Sequence, residues 1–130
     1  MPSETQALTA AGLARKTELV AMAGGLYTLP EVASLLNVSE EAVEDQHKAG
    51  ALIAVRSGGR YGYPACQFKS DGIVEGLAAI LEAMPLRSDW MRLEWLLVSD
   101  DALDGRAPLE ALKEGRLRAV MDIARGCGAE

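Results

Sequence analysis

With 130 residues, the chain has the length of one ordinary domain or two very small ones. Hydrophobic residues make up 49% and charged residues 25%, which describes a chain able to bury a core and not a disordered one. Its 19 Asp plus Glu against 13 Lys plus Arg, a net charge of -6, exclude a general nucleic-acid coat but leave room for a local basic patch.

Aromatic residues are scarce at 5%, so the core is expected to be built from Leu, Ala, Val and Ile. Cys66 and Cys127 are far apart and form no CxxC pair, and His47 is the one histidine. A zinc site, a disulfide framework and a resident cofactor are therefore not expected. No apolar run approaches the roughly 18 residues of a membrane span. The first residues lack the basic and apolar regions of a signal peptide. A cytoplasmic protein with reduced thiols is the expectation.

Residues 5–22 carry Leu8, Leu13, Leu19, Val20 and Met22 near helical spacing, and Gly24 and Gly25 end the run. Thr28, Leu29, Pro30 and Glu31 then form a capping box with proline in the first turn. Val32, Ala33, Leu35 and Leu36 give this second helix one apolar face. Asn37 and Val38 break it. Ser39 caps a third helix, in which Glu40 and Glu41 suit the positive end of the helix dipole and Gly50 is the stop. Two short helices joined so tightly make a helix-turn-helix.

Residues 51–55 change period and are expected to form a short strand. Ser57, Gly58, Gly59 and Arg60 read as a turn, with Tyr61 to Tyr63 returning as far as Pro64. The hairpin is a wing. A helix is expected to start at Asp71, to stack Ile73, Val74, Leu77, Ile80, Leu81 and Met84 on one stripe, and to close at Pro85. Ser88 caps a helix with Trp90, Leu93, Trp95, Leu96 and Leu97. Residues 99–104 make a turn ending at Gly105. Pro108 starts a helix with Leu109 and Leu112 inward, ended by Gly115. Leu117, Val120, Met121 and Ala124 mark a last helix, with Leu117 and Met121 expected to face inward. The tail from Cys127 is expected to be mobile. The fold expected is mainly α: a helix-turn-helix with a small β-hairpin wing, then a small all-helical C-terminal unit. The divisions are residues 1–26, 27–68, 69–89 and 90–130.

A recognition helix enters the major groove with its N-terminal side chains on base edges. Here that helix presents Glu40, Glu41, Glu44 and Asp45, with Lys48 the firm cation. A carboxylate can accept from cytosine N4 but cannot neutralise phosphate. The unit is either a weak, salt-dependent DNA reader working through Lys48, Arg56, Arg60 and Tyr61, or a structural or protein-binding derivative of one. His47 has no triad neighbours and reads as a helix-surface residue. Cys66 reads as a small core residue and Cys127 as an exposed thiol. Asp100, Asp101 and Asp104 lack the pattern of a calcium loop and read as a solvated turn. No nucleophile, base and oxyanion donor assemble, so no catalytic residues, no metal site and no enzyme are expected. The apolar helix carrying Trp90, Leu93, Trp95 and Leu97 suits a dimer interface, and a homodimer is expected.

Two stretches resemble known families. Residues 90–124 resemble the C-terminal toxin-binding domain of Xre/MbcA/ParS-type antitoxins. The residues that carry this are Trp95 and Leu96, then Leu103, Asp104, Gly105 and Arg106, then Pro108 to Leu112, and Gly115, Val120 and Ala124. Residues 27–68, ending in Tyr63, Pro64, Ala65, Cys66, Gln67 and Phe68, are similar to a MerR- or excisionase-like winged helix. The resemblance implies an antitoxin that binds and neutralises a cognate toxin, in the family often a RES-domain enzyme, and represses its own operon. It implies a toxin-binding face of Leu109, Leu112, Arg116, Arg118 and Arg125. The chain departs from the family at Ala107, where Ser or Thr is usual, in its acidic recognition helix and in its short tail. A plain DNA-binding regulator without a toxin, and a structural or adaptor protein, are the competing readings.

Overall fold

The computed structural model describes residues 2–57, 59–70 and 72–126, with side chains from Gly12 onward except that of Ser57. Gly58, the Asp71 cap, the Leu8 side chain and the tail from Cys127 lie outside the described residues. The fold is mainly α, with small antiparallel sheets. Helix α1 (Pro2–Met22) leads through β1 (Leu26–Tyr27) into α2 (Leu29–Leu36) and α3 (Glu40–Lys48). The wing is β2 (Val55–Ser57) and β3 (Arg60–Pro64). A single 3-10 turn (Ala65–Gln67) and a second hairpin, β4 (Phe68–Lys69) and β5 (Gly72–Ile73), lead to α4 (Leu77–Ala83) and α5 (Asp89–Leu97). Helices α6 (Pro108–Lys113) and α7 (Leu117–Gly126) complete the chain after a short 3-10 turn (Asp101–Leu103).

The helix-turn-helix forms for local reasons. The Thr28 hydroxyl accepts from the Glu31 amide and the Glu31 carboxylate from the Thr28 amide, the reciprocal capping box expected. Asn37 ends α2 in the left-handed region at φ 58°, and Ser39 caps α3 by accepting from the Ala42 amide. Ala107 has no hydroxyl to offer α6, yet Glu110 still accepts from the Ala107 amide, so half of that cap survives.

Four expectations about the middle of the chain need correction. Residues 51–54 are not strand; β2 begins at Val55. Leu26 and Tyr27, where the sequence pattern marks no strand, pair with Pro64 and Tyr63, so the wing is a three-stranded sheet ordered β1-β3-β2. A Cβ on Gly62 would lie 2.7 Å from Leu26 Cδ1, so glycine there admits the extra strand. The helix expected from Asp71 instead starts at Leu77, because Gly72 and Ile73 pair back onto Lys69 and Phe68. Gly76, at φ 84°, makes the turn into it. Leu117 does not face fully inward: it is 41% exposed, while Val120 and Ala124 are buried and Met121 half-buried.

Two hydrophobic cores result. One is inside the winged helix, formed by Val32, Ala33, Val43, Leu52, Ala54, Tyr63 and Phe68. The other gathers α1, α4, α5, α6 and α7 around Leu77, Ile80, Leu81, Leu93, Leu96 and Val120. The extended segment 52–55 lies between them. Leu52 and Ala54 enter the first core while Ile53 and Val55 enter the second. This is the alternation of an extended chain, with both faces buried.

That segment has no strand partner at Ile53 and Ala54, so its backbone groups need other partners. Gln67, fully buried, supplies them: Oε1 accepts from the Ile53 amide at 2.7 Å, and Nε2 donates to the Ile53 carbonyl at 2.8 Å. Asp89 Oδ2 accepts from the Ala54 amide at 3.1 Å. Replacing Gln67 by Leu would strand two buried backbone groups, each costing about 1–3 kcal/mol. We expect Gln67→Leu to lower the urea midpoint by the equivalent of about 2–5 kcal/mol with an unchanged m value. A loss below about 0.5 kcal/mol would contradict this role.

Candidate nucleic-acid interface

Hairpin pairing of Arg56 with Tyr61 and Ser57 with Arg60 brings three of the expected residues together on the wing. The Arg56 guanidinium lies over the Tyr61 ring, 5.1 Å from its centroid. Tyr61 is 48% exposed, and Arg56 and Arg60 are exposed. Lys48 is exposed at the last turn of α3, next in sequence to His47, and has no contact with the wing among the interactions of the described residues.

His47 is not the free helix-surface residue expected. It is half-buried, its Nε2 lies 2.8 Å from Asp89 Oδ2, and its ring meets Tyr61 edge-on at 5.3 Å. A carboxylate only accepts, so Nε2 carries the proton in this pair. The wing, the recognition helix and α5 are thus joined through Arg56, Tyr61, His47 and Asp89. Arg92 donates to the Leu86 carbonyl at 2.9 Å and stands 3.5 Å from the other Asp89 oxygen. Asp89 and Gln67 had no motif to mark them in the sequence.

Between the wing and the helix-turn-helix runs a groove of about 540 Å³, lined by Tyr27, Leu29, Pro30, Glu44, Arg60 and Tyr61 among others. Glu44 reaches the Tyr63 side, where burial first and the Glu44 charge second hold the Tyr63 hydroxyl above its ordinary range. The exposed face of α3 is acidic up to Lys48, with Glu40, Glu41, Glu44 and Asp45 all solvated. Glu40 and Glu41 at the first turn stabilise the helix by about 0.3–1 kcal/mol each, which is a structural use for their charge.

The other expected site residues divide. Leu109 and Leu112 are buried in the helical core at 4% exposure, so neither presents a surface to a partner. Arg116 pairs with Asp104 at 3.5 Å, whereas Arg118 and Arg125 are exposed on α7. Among the proposed dimer residues Leu93 is fully buried within its own core. Trp90 lies beneath the Lys16 ammonium, and Trp95 and Leu97 are half-buried. Among the described residues no cluster of three or more His, Cys, Asp or Glu could hold a metal ion, and no helix is long and apolar enough to cross a membrane.

Fold and site together define a winged helix-turn-helix protein. The chain is 33% identical over 114 residues to the DNA-binding protein Rv2175c of Mycobacterium tuberculosis, spanning 76% of this chain and 77% of that one. It belongs to the family of that protein. The solution structure titled "NMR structure of Rv2175c" superposes with a TM-score of 0.66 at 29% identity, covering 78% of this chain and 79% of that one. No family model matches the sequence.

Cys66 packs against the helical core, and burial pushes its thiol from the ordinary 9.0 up to about 11, against the opposing pull of the Lys113 charge. The folded state therefore holds the thiol proton that the unfolded chain releases near pH 9. The stability this gives is complete below pH 9 and is lost as pH rises toward 11. In a Cys127→Ser background, alkylation of Cys66 by iodoacetamide is expected to stay slow at neutral pH and to rise with a midpoint near 11. A midpoint at or below the ordinary value would contradict the buried placement.

Proposed function

We propose that the protein is a DNA-binding regulator that acts by binding and performs no chemistry of its own. The observation that carries this reading is the winged helix with Arg56, Arg60 and Tyr61 gathered at one exposed hairpin. Its relative's name, DNA-binding protein Rv2175c, supports it. Phosphate neutralisation supplies most of the affinity of such proteins, and here it comes from the wing and Lys48, not from the acidic face of α3. Binding to arbitrary duplex is accordingly weak and salt-dependent. The carboxylates of α3 act as a filter: they repel phosphate wherever the bases opposite offer no donor, such as cytosine N4.

A second reading, binding of a cognate toxin, draws on the resemblance of residues 90–124. It is favoured by Arg118 and Arg125, which are exposed seven residues apart on one side of α7 with no ion-pair partner among the described residues. In that reading these two arginines meet the toxin, and Leu109 and Leu112 support them from below. A homodimer, in either reading, would use the exposed edge of α5, where Met91 is 53% exposed, in place of Leu93.

Fluorescence anisotropy with labelled duplexes tests the first reading. Arg56→Glu with Arg60→Glu is expected to abolish measurable binding. Glu41→Lys with Glu44→Lys is expected to tighten non-specific binding by about tenfold or more at low salt. Wild-type protein that ignores duplex DNA at low salt would overturn the reading.

A further inference from the structure

The chain holds more acids than bases, so a cation without an acidic partner is informative. Arg15, Arg92, Arg106 and Arg116 all have carboxylate partners. Arg87 has none among the described residues, and it is exposed. It stands in the short link between Met84, where α4 ends in extended backbone, and Ser88, which caps α5. Neither capping nor a helix dipole explains a cation there.

Arg87 lines a cleft of about 400 Å³ together with Lys48, His47, Glu82, Asp89 and Arg92. The lining is mainly polar. Arg92, His47 and Asp89 are committed to one another, and Asp89 also holds the Ala54 amide. The Arg92 and Asp89 charges are spent inside the fold. Glu82 is exposed and opposes the two free cations in part. What the cleft offers outward is Lys48 from the end of the recognition helix and Arg87 from the helical unit. The His47 ring that walls the cleft also meets Tyr61 of the wing.

Resting on the DNA-binding reading above, we infer that this cleft is a phosphodiester site. Lys48 and Arg87 contact the DNA backbone beyond the end of the recognition helix, so the helical C-terminal unit takes part in holding DNA. The ammonium and the guanidinium donate to phosphate oxygens, and each contact releases condensed counterions. An acidic recognition helix needs such support at its end, because Glu40, Glu41, Glu44 and Asp45 on its exposed face supply no phosphate contact. Both groups contact backbone and read no base, so they add affinity equally to every sequence.

The test is the salt dependence of binding to a short labelled random-sequence duplex, across about 50 to 200 mM salt. Full-length wild type is compared with Lys48→Gln, Arg60→Gln, Arg87→Gln, Arg87→Lys and Arg118→Gln, each checked for folding by circular dichroism. Arg87→Gln and Lys48→Gln are each expected to weaken binding severalfold at low salt. Each is expected to reduce the slope of log affinity against log salt by about 0.9, the value for one lost phosphate contact. Arg87→Lys keeps the slope, and Arg118→Gln, on α7, leaves it unchanged. If Arg87→Gln retains the wild-type slope while Arg60→Gln lowers it, the cleft is overturned and the DNA-binding reading stands. If Arg118→Gln lowers the slope as much as Arg87→Gln, the effect is diffuse charge and the cleft is again overturned. If wild type shows no binding, both fall.

Discussion

The structure depends on four residues in extended conformation, Leu52 to Val55, that serve two cores at once. Burial of both faces is expensive for the backbone of Ile53 and Ala54, which has no strand partner, because each unpaired amide or carbonyl in a dry interior costs more than a typical hydrogen bond returns. Gln67 resolves this with one side-chain amide that imitates a neighbouring strand, accepting from and donating to the same residue, Ile53. Its own spare donor capacity reaches the Pro64 carbonyl at 3.3 Å. The junction of winged helix and helical unit is therefore made by a continuous chain segment packed on both sides, and not by two surfaces that merely touch.

From this junction follows the placement of the interface. Asp89 reads the next residue along, Ala54, and the recognition helix through His47, so α5 fixes the end of α3. Tyr61 leans on His47 and Arg56 on Tyr61, so the wing is fixed in turn. The chain's charge is distributed to match. Carboxylates that would oppose DNA sit at the start of α3, where the helix dipole favours them, and cations with no carboxylate partner among the described residues sit at the wing and at the end of the same helix. In the proposed DNA-binding function, the structural demand at one end of α3 and the electrostatic demand of a polyanion conflict, and the flanking cations would offset the conflict.

Much of this was legible in the sequence where the cause is local. The caps at Thr28, Ser39 and Ser88 are satisfied by residues three positions away, so a short window contains both partners. The wing was legible because Gly59 and the flanking β-branched and aromatic residues fit a two-residue hairpin. The period-two pattern of residues 51–55 was visible too, but its partners lie 14 and 35 residues away as side chains, which no alternation reveals. Ile73 and Val74 fall at helical spacing from Leu77, so the stripe mimics a longer helix; the β4-β5 hairpin overrides it. Arg56, Arg60 and Tyr61 could be found from the hairpin, whereas Arg87 is a lone loop arginine with nothing periodic about it. Leu109 and Leu112 were placed on a binding face through resemblance, while the inward reading of their spacing was the correct one.

Ile53 and Ala54, outside any helix or strand, are held as firmly as the cores they join. Native-state hydrogen exchange of the Ile53 and Ala54 amides, followed by NMR, tests this most directly. Both are predicted to exchange only through global unfolding, with protection matching the slowest amides of α4 and α5. Exchange at the rate of exposed turn amides would show that the side-chain partners do not hold the segment, and would contradict the account.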